Sequence, residues 1–427
     1  MNAINSLDET VRRSANLTRA RVVPLKHLFS RAKTVSSGSQ TLLSLYRDYG
    51  IVPKDSRDDN FNRASDDLSN YQQVNPGDLV VNKMKAWQGS VGISGYSGII
   101  SPAYFVYRPI SEHPVRYFHY VFRSDVYRQA FGSISSGVRP NQWDLDPDAF
   151  GRLPVAVPPV RRAQTIADYL DHETAEIDAF ITDHQALLAW LEERRAAAIH
   201  SSLEAGTFEL VALKHLGSLR SGLTLGARYS GELNEYPYLR VANVQTDHVD
   251  LNDVARIPVP TDIAERNRLQ PGDILMTEGG DRDKLGRGAL WRGEIPNALH
   301  QNHIFSFRCG PTLSPEFLVL ALESDRARRY FDETARQSTN LASTNSKTVK
   351  AFRLPWRPLA EQKRITAIVH KDLRNMADAM ADSKRAIGLA RERRAALISA
   401  AVTGQIDVTQ KHRPVAEQLE DEVKQLH

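Results

Sequence analysis

Two long stretches of this chain carry apolar residues at helical spacing. From 161 onward there is no Gly or Pro until Gly206, and Ile166, Leu170, Ile177, Phe180, Leu187 and Leu191 recur at intervals of three, four or seven. That periodicity predicts an amphipathic helix of about ten turns. A second such helix is predicted over about 359–402, with Ile365, Val369, Met376, Met380, Ile387 and Leu397 on one face and Gly404 as its stop. Before each helix the pattern changes. Short alternating runs such as Leu79-Val80-Val81 and Tyr104-Phe105-Val106-Tyr107 sit between Gly-containing turns and predict strands, with a helix near 114–131. Residues 1–19 are polar and read as a short helix or a flexible lead, and 407–427 as a polar tail.

The chain says nearly the same thing twice. Glu193-Arg194-Arg195-Ala196-Ala197 returns as Glu392-Arg393-Arg394-Ala395-Ala396, an offset of 199, and Pro159, Ile166, Asp183 and Ile199 fall on Pro358, Ile365, Asp382 and Ile398. Upstream, Pro76-Gly77-Asp78 returns as Pro271-Gly272-Asp273, Phe105 and Arg108 as Phe305 and Arg308, and SDVYRQAF (124–131) as SDRARRYF (324–331). Arg152-Leu153-Pro154 returns as Arg353-Leu354-Pro355. The period is far too long for a solenoid, whose repeats span about 20–50 residues. It marks a duplicated unit: a mixed α/β domain followed by one long helix. Two equivalent modules suit a ligand with two similar, separated halves, and duplex DNA is the commonest such ligand. The boundaries read as a lead at 1–19, a first mixed domain at 20–157, a helix at 158–206, a second mixed domain at 207–356, a helix at 357–406 and the tail. The expected fold class is α+β, with the two helices pairing as an antiparallel coiled coil, although His184, Arg195 and Arg394 interrupt the apolar seam. Paired, some 36 helical residues at 1.5 Å each would form a rod of about 50 Å that sets the spacing of the domains.

Length and charge sharpen this. The 427 residues suffice for two or three domains. A net charge of +4 and a pI near 9.0 are compatible with nucleic acid without demanding it. Mean hydropathy is −0.41 and no run of 18 apolar residues exists, so no membrane span is expected. The N-terminus lacks an apolar signal core, so a cytoplasmic location is expected. The single Cys309 excludes an internal disulfide and a Cys-based zinc site, and reads as a small buried hydrophobe.

Signatures of catalysis are missing. There is no GxxxxGK[ST] loop, no Asn-Pro-Pro-aromatic or Asp-Pro-Pro-aromatic tetrapeptide of amino-methyltransferases, and no GxGxxG after a strand. Glu361-Gln362-Lys363 and Asp382-Ser383-Lys384 carry the acid-x-Lys spacing of a nuclease, but lie in the helical repeat. His300 and His303 have no third ligand at metal spacing.

Reading base edges needs Arg, Lys, Asn and Gln on exposed loops. In the first domain the candidates are Lys83, Lys85 and Gln88 after a predicted strand, with Trp87 as a loop anchor, and Ser136, Arg139, Asn141 and Gln142 in a turn near the domain's end. In the second they are Glu278, Arg282 and Lys284 in a Gly-flanked loop with Asp283, and Gln301, Asn302 and His303 in another. Thr339, Asn340, Ser343, Thr344, Ser346 and Lys347, with Asn345, are the counterpart of the 135–142 turn, and their hydroxyls, amides and ammonium suit phosphate contacts. Gly77, Asp78, Gly272 and Asp273 read as structural turn residues. The arginines of the ERRAA segments are either solvated or dock a partner.

The whole plan resembles the specificity subunit of type I restriction-modification systems. PVAVPPVRRAQTIADYLDHETAEIDAFI (154–181) and LEERRAAAIHSSL (191–203) are similar to that family's first helical spacer. PWRPLAEQKRITAIV (355–369) and RERRAALISAAVTGQID (391–407) are similar to the second, and ERRAALISAAVTG is the most specific piece. PGDLVVNKMKAWQGSVGIS (76–94) with GIISPAYFVYRP (98–109) looks like one recognition-domain subtype. PGDILMTEGGDRDKLGRGALW (271–291) with HQNHIFSFR (300–308) looks like another. Arg162-Ala163 departs from the pattern that Glu361-Gln362 keeps. The resemblance implies a non-catalytic subunit with two target-recognition domains, each reading half of a bipartite double-stranded DNA sequence. It implies two modification subunits as partners, which supply S-adenosylmethionine and adenine methylation, and restriction subunits that supply ATP- and Mg-dependent translocation and cleavage. No cofactor is expected in this chain. The alternatives are an interaction scaffold that binds no DNA, and a nuclease or methyltransferase of unrecognised type.

Overall fold

The computed structural model describes residues 2–35, 40–47, 50–56, 67–110, 114–139, 142–245, 248–280, 282, 285–337 and 342–408. Its helices are α1 (Asn2–Thr18), α2 (Val115–Arg123), α3 (Asp125–Ser133), α4 (Pro147–Arg152), α5 (Val160–Glu204), α6 (Thr261–Asn267), α7 (Pro315–Glu323), α8 (Asp325–Thr334), α9 (Ser346–Ala351) and α10 (Leu359–Val402). The chain divides into two compact units. Unit 1 comprises 1–185 and 384–427, and unit 2 comprises 186–383. The fold class is mixed α and β with two long helices.

Unit 1 is built on an antiparallel four-stranded sheet in the order Phe29–Ala32, Tyr104–Pro109, Leu79–Asn82, Val91–Ile93. Successive side chains of a strand point to opposite faces. Leu79, Val81, Phe105 and Tyr107 accordingly enter a large core with Phe29, Phe118 and Phe122, while Val80 and Val106 enter a smaller one with Leu43, Ile51 and Val74. Both faces are covered, so this strand reads as an unbroken apolar run. The start of α5 (Ala163, Ile166, Leu170) and the end of α10 (Ile398, Ala401, Val402) pack into the same large core. Further along, Ile177 and Ala390 are buried together and Arg394 forms a two-pronged pair with Asp178 at 2.9 and 3.2 Å. Position rises along α5 as it falls along α10, so the helices run antiparallel here.

Residues 1–19 resolve toward the helical alternative. Leu7, Val11 and Ala15 of α1 lie four apart and are all buried in the unit 1 core. The Ser14 hydroxyl donates to the carbonyl of Val402, which satisfies one of the orphan acceptors at the end of α10.

Unit 2 repeats the plan. Its sheet runs Gly217–Ser221, Ile304–Cys309, Ile274–Thr277, Ala289–Leu290. Ile274, Met276, Phe305 and Phe307 enter one core, Leu275 and Ile304 another. Ile199 and Leu203 from α5 join Ile365 and Val369 from α10 in the first of these. Arg357, 1% exposed, donates to the carbonyls of Leu203 and Ala205 and closes the C-terminus of α5. In both units a strand leading into the domain pairs antiparallel with the strand leaving it: Arg21–Pro24 with Pro154–Val157, and Glu209–Ala212 with Arg353–Trp356. The apolar seam is not continuous. Leu187 is 39% exposed and Trp190 is 51% exposed, so the predicted stripe turns to solvent in that stretch of α5.

The repeated Pro-Gly-Asp marks a left-handed turn, with φ of 91° at Gly77 and 95° at Gly272, a conformation that glycine adopts without the Cβ penalty. Asp78 and Asp273 each accept a 2.8 Å bond from a backbone N–H three residues earlier. The echo of Arg108 in Arg308 also finds its reason here. Arg308 holds Asp273 by two bonds of 2.7 Å, which raises the guanidinium pKa further. Arg108 approaches Asp78 only to 3.9 Å, and burial raises the Asp78 pKa. Cys309 is half-buried against the unit 2 core, and burial pushes its thiol up to about 12.

Candidate nucleic-acid interface

In unit 1 the candidates gather around one hairpin. Strand Ser135–Arg139 pairs antiparallel with Gln142–Leu145, with Arg139 opposite Gln142, and α4 follows, capped by Asp146. Asn141 lies outside the described residues. Ser136 is exposed on the first strand. The backbone N–H of Leu145 donates to the Lys83 carbonyl at 2.9 Å, which ties the hairpin to the loop carrying Lys83, Lys85 and Gln88. The Trp87 and Trp143 rings join the two segments, 4.8 Å apart and tilted by 37°. Trp87 also donates to the Met84 carbonyl at 3.1 Å, the behaviour of a loop anchor, whereas Trp143 is 36% exposed. Trp143 escaped the sequence reading because nothing local marks which residue a tryptophan will meet 56 positions away.

The three loop candidates differ. The Lys83 ammonium donates to the Pro102 carbonyl and lies 5.0 Å over the Phe105 ring, a ring that Arg31 covers from 4.3 Å. Burial and then the Arg31 charge lower its pKa. It braces the loop. Lys85 is exposed, and Gln88 is half-buried beside the start of an arginine-lined cavity.

In unit 2 three separate sequence segments converge. Glu278 donates its N–H to the His303 carbonyl and accepts from the Thr344 N–H, at 2.9 and 2.8 Å. The two side chains meet as well, with His303 Nδ1 2.7 Å from Glu278 Oε2. Gly279 pairs with Ser343 in a small sheet whose third strand is Arg336–Gln337. Glu278, His303, Ser343 and Thr344 therefore form one surface, and Thr344 is buried in it. Ser346 and Lys347 are exposed in the first turn of α9, behind the Asn345 cap. The other candidates serve structure in part. Arg282 pairs with Asp332 of α8, and the Gln301 side chain accepts from the Val241 N–H at 3.3 Å. Asn302 is half-buried next to them. Lys284, Thr339 and Asn340 lie outside the described residues, as does Asp283. His300 is buried, its ring 3.1 Å from the Ile304 carbonyl, and burial lowers its pKa. Among the described residues no group of three or more His, Cys, Asp or Glu could hold a metal ion, and no helix is long and apolar enough to cross a membrane.

What the two units define is a protein of duplicated mixed domains, each presenting polar loops at a hairpin and each followed by a long helix. Known proteins of this kind exist. The specificity subunit of the type I restriction enzyme EcoKI from Escherichia coli K12 is 24% identical over 332 residues, 70% of this chain and 68% of that one. A putative type I specificity subunit, MjaX, from Methanocaldococcus jannaschii is 25% identical over 153 residues, 35% of this chain and 36% of that one. A solved chain from work on complex assembly and conformational transition of a type I R-M system matches 90% of this chain and 98% of its own length, with a TM-score of 0.66 at 12% identity, and so shares the fold. No family model matches. The chain is similar to type I restriction-modification specificity subunits, and the resemblance carried by its motifs extends over most of its length.

Proposed function

We propose that this chain is the DNA-reading subunit of a type I restriction-modification complex and recognises a bipartite target, one half-site per unit. The observation that supports the reading most is the duplication itself. Each unit repeats the same sheet, the same paired strands at entry and exit, and a polar hairpin or small sheet (135–145 in unit 1, 336–343 in unit 2) just before its long helix. Base-reading side chains would come from Lys85, Ser136, Arg139 and Gln142 in unit 1, and from the surface around Glu278, His303 and Ser343 in unit 2. Exposed Ser346 and Lys347 suit phosphate contacts that position a protein without reading sequence.

The chain itself is non-catalytic in this reading. Methyl transfer from S-adenosylmethionine belongs to two modification subunits, and ATP- and Mg-dependent cleavage to restriction subunits, all in the cytoplasm. The exposed Leu187 and Trp190 on α5, with Arg194 5.1 Å over the Trp190 ring, and the exposed Ile368 on α10 suit docking of such subunits. The test is a binding assay of the chain with and without its modification subunit. Specific duplex recognition by the pair, with no methylation by the chain alone, supports the proposal. A pair that binds no duplex sequence preferentially defeats it.

A further inference from the structure

The two units repeat one backbone node beside their polar loops. In unit 1 the Lys83 N–H donates to the Ala103 carbonyl at 3.1 Å, and the Lys83 carbonyl accepts from the Leu145 N–H at 2.9 Å. In unit 2 Glu278 makes the same two bonds. Its N–H donates to the His303 carbonyl at 2.9 Å, and its carbonyl accepts from the Thr344 N–H at 2.8 Å. Lys83 and Glu278 also stand at the same distance beyond Asp78 and Asp273 of the repeated Pro-Gly-Asp. The node is shared, but its side chain changes sign. The Lys83 ammonium turns back onto its own unit, donating to the Pro102 carbonyl and lying 5.0 Å over the Phe105 ring. Glu278 keeps its carboxylate at the surface, where Oε2 meets His303 Nδ1 at 2.7 Å.

The side chains of Glu278 and His303 remain 36% and 56% exposed. A carboxylate only accepts, so in the neutral imidazole Nδ1 carries the proton and Nε2 is left as an acceptor. Glu278 Oε1 and His303 Nε2 take no other hydrogen bond or ion pair among the described residues. The pair therefore shows two acceptors, and no free donor, to whatever approaches. That chemistry discriminates among the groups of a duplex. Phosphate oxygens are themselves anionic acceptors, so the carboxylate repels them. In the major groove guanine N7 and O6 and thymine O4 are also acceptors, whereas adenine N6 and cytosine N4 are amino donors. Guanine N2 is the amino donor of the minor groove.

We propose that Glu278 and His303 act as a unit that reads one exocyclic amino group in the half-site of unit 2. This rests on the base-reading function proposed above and assigns the chemistry of one position in it. Unit 1 has no counterpart, because its node holds a lysine that braces the loop. The target is taken from the methylome of the wild type. The chain in complex with its modification subunit is then titrated with duplexes that each lack a single amino group: purine for adenine, 2-pyrimidinone for cytosine, hypoxanthine for guanine. One replacement is expected to weaken the wild-type complex by about tenfold or more. The same replacement should cost less than about threefold with Glu278→Gln or His303→Ala, because the group and its reader are coupled. Glu278→Gln keeps the shape and turns an amide donor outward, and His303→Ala serves should that variant fail to melt normally. Coupling at purine or 2-pyrimidinone places the pair in the major groove, and coupling at hypoxanthine places it in the minor groove. A penalty equal in wild type and variant, or no penalty at any amino group, overturns the proposal and leaves bipartite reading standing. A wild-type complex that prefers no sequence overturns both.

Discussion

Replacing Asp273 by Ala should destabilise unit 2 far more than Asp78→Ala destabilises unit 1, although the two residues are counterparts. Asp273 is 1% exposed and accepts three bonds: two from Arg308 at 2.7 Å and one from the Gln270 N–H at 2.8 Å. Its removal strands a guanidinium that is only partly solvated and a backbone donor. Breaking a buried pair by deleting one partner costs about 3–5 kcal/mol. Asp78 is equally buried but accepts the Asn75 N–H alone at hydrogen-bond distance, with Arg108 at 3.9 Å. Its deletion should cost about 1–3 kcal/mol, the penalty of an unmet buried donor. Hydrogen exchange read by mass spectrometry reports protection in each unit separately. The expected result is a loss of protection at Ile274–Thr277 and Ile304–Cys309 that exceeds, by at least tenfold in exchange rate, the loss at Leu79–Asn82 and Tyr104–Pro109. Equal losses would refute the reasoning, because burial alone would then decide the cost and the arginine geometry would not matter.

Three further outcomes are expected. His119 is neutral in the fold and its pKa is pushed down to about 3 from an ordinary value near 6.5, so the stability it permits is complete above 6.5 and drains as the pH falls. Unit 1 should lose about 1.4 kcal/mol per pH unit between pH 6 and 4 from this group, and His119→Gln should remove that slope in urea titrations; an unchanged slope contradicts it. Arg357→Ala should cost about 3 kcal/mol through the lost bonds to Leu203 and Ala205, seen as a lower urea midpoint, and a change under 1 kcal/mol would show that the α5 terminus needs no cap. Four residues inserted near Ala186 add about 6 Å of helix, so the unread gap in the target should lengthen by one or two base pairs at about 3.4 Å each, with the half-site bases unchanged. An unchanged gap with altered bases would refute helix length as the determinant.

Much of the architecture was legible because repetition amplifies weak signals. A single Pro-Gly-Asp says little, but two at equivalent places forecast two structural turns, and the structure shows both to be left-handed at Gly77 and Gly272. The long helices were readable because 3.6-residue periodicity survives over forty residues. What misled was the assumption that the apolar stripe stays covered: Leu187 keeps the register yet is exposed. One repeat went unread. Val23-Pro24-Leu25-Lys26-His27-Leu28 returns as Val211-Ala212-Leu213-Lys214-His215-Leu216, each a strand running into a tight helical turn with its first Leu buried. The candidate interface was legible only as composition. That Glu278, His303 and Thr344 share one surface depends on strand pairing across 66 residues, and periodicity within a segment carries no such information.

The central claim is that each unit reads its own half of one DNA sequence. The most direct test is methylome sequencing of cells that carry the cognate modification subunit with either the wild-type chain or a chain with Ser136, Arg139 and Gln142 replaced by Ala. The account predicts a bipartite methylated motif for the wild type and, in the variant, loss or relaxation of one half-site while the other half keeps its bases. A methylation pattern independent of this chain, or equal erosion of both half-sites, would contradict it.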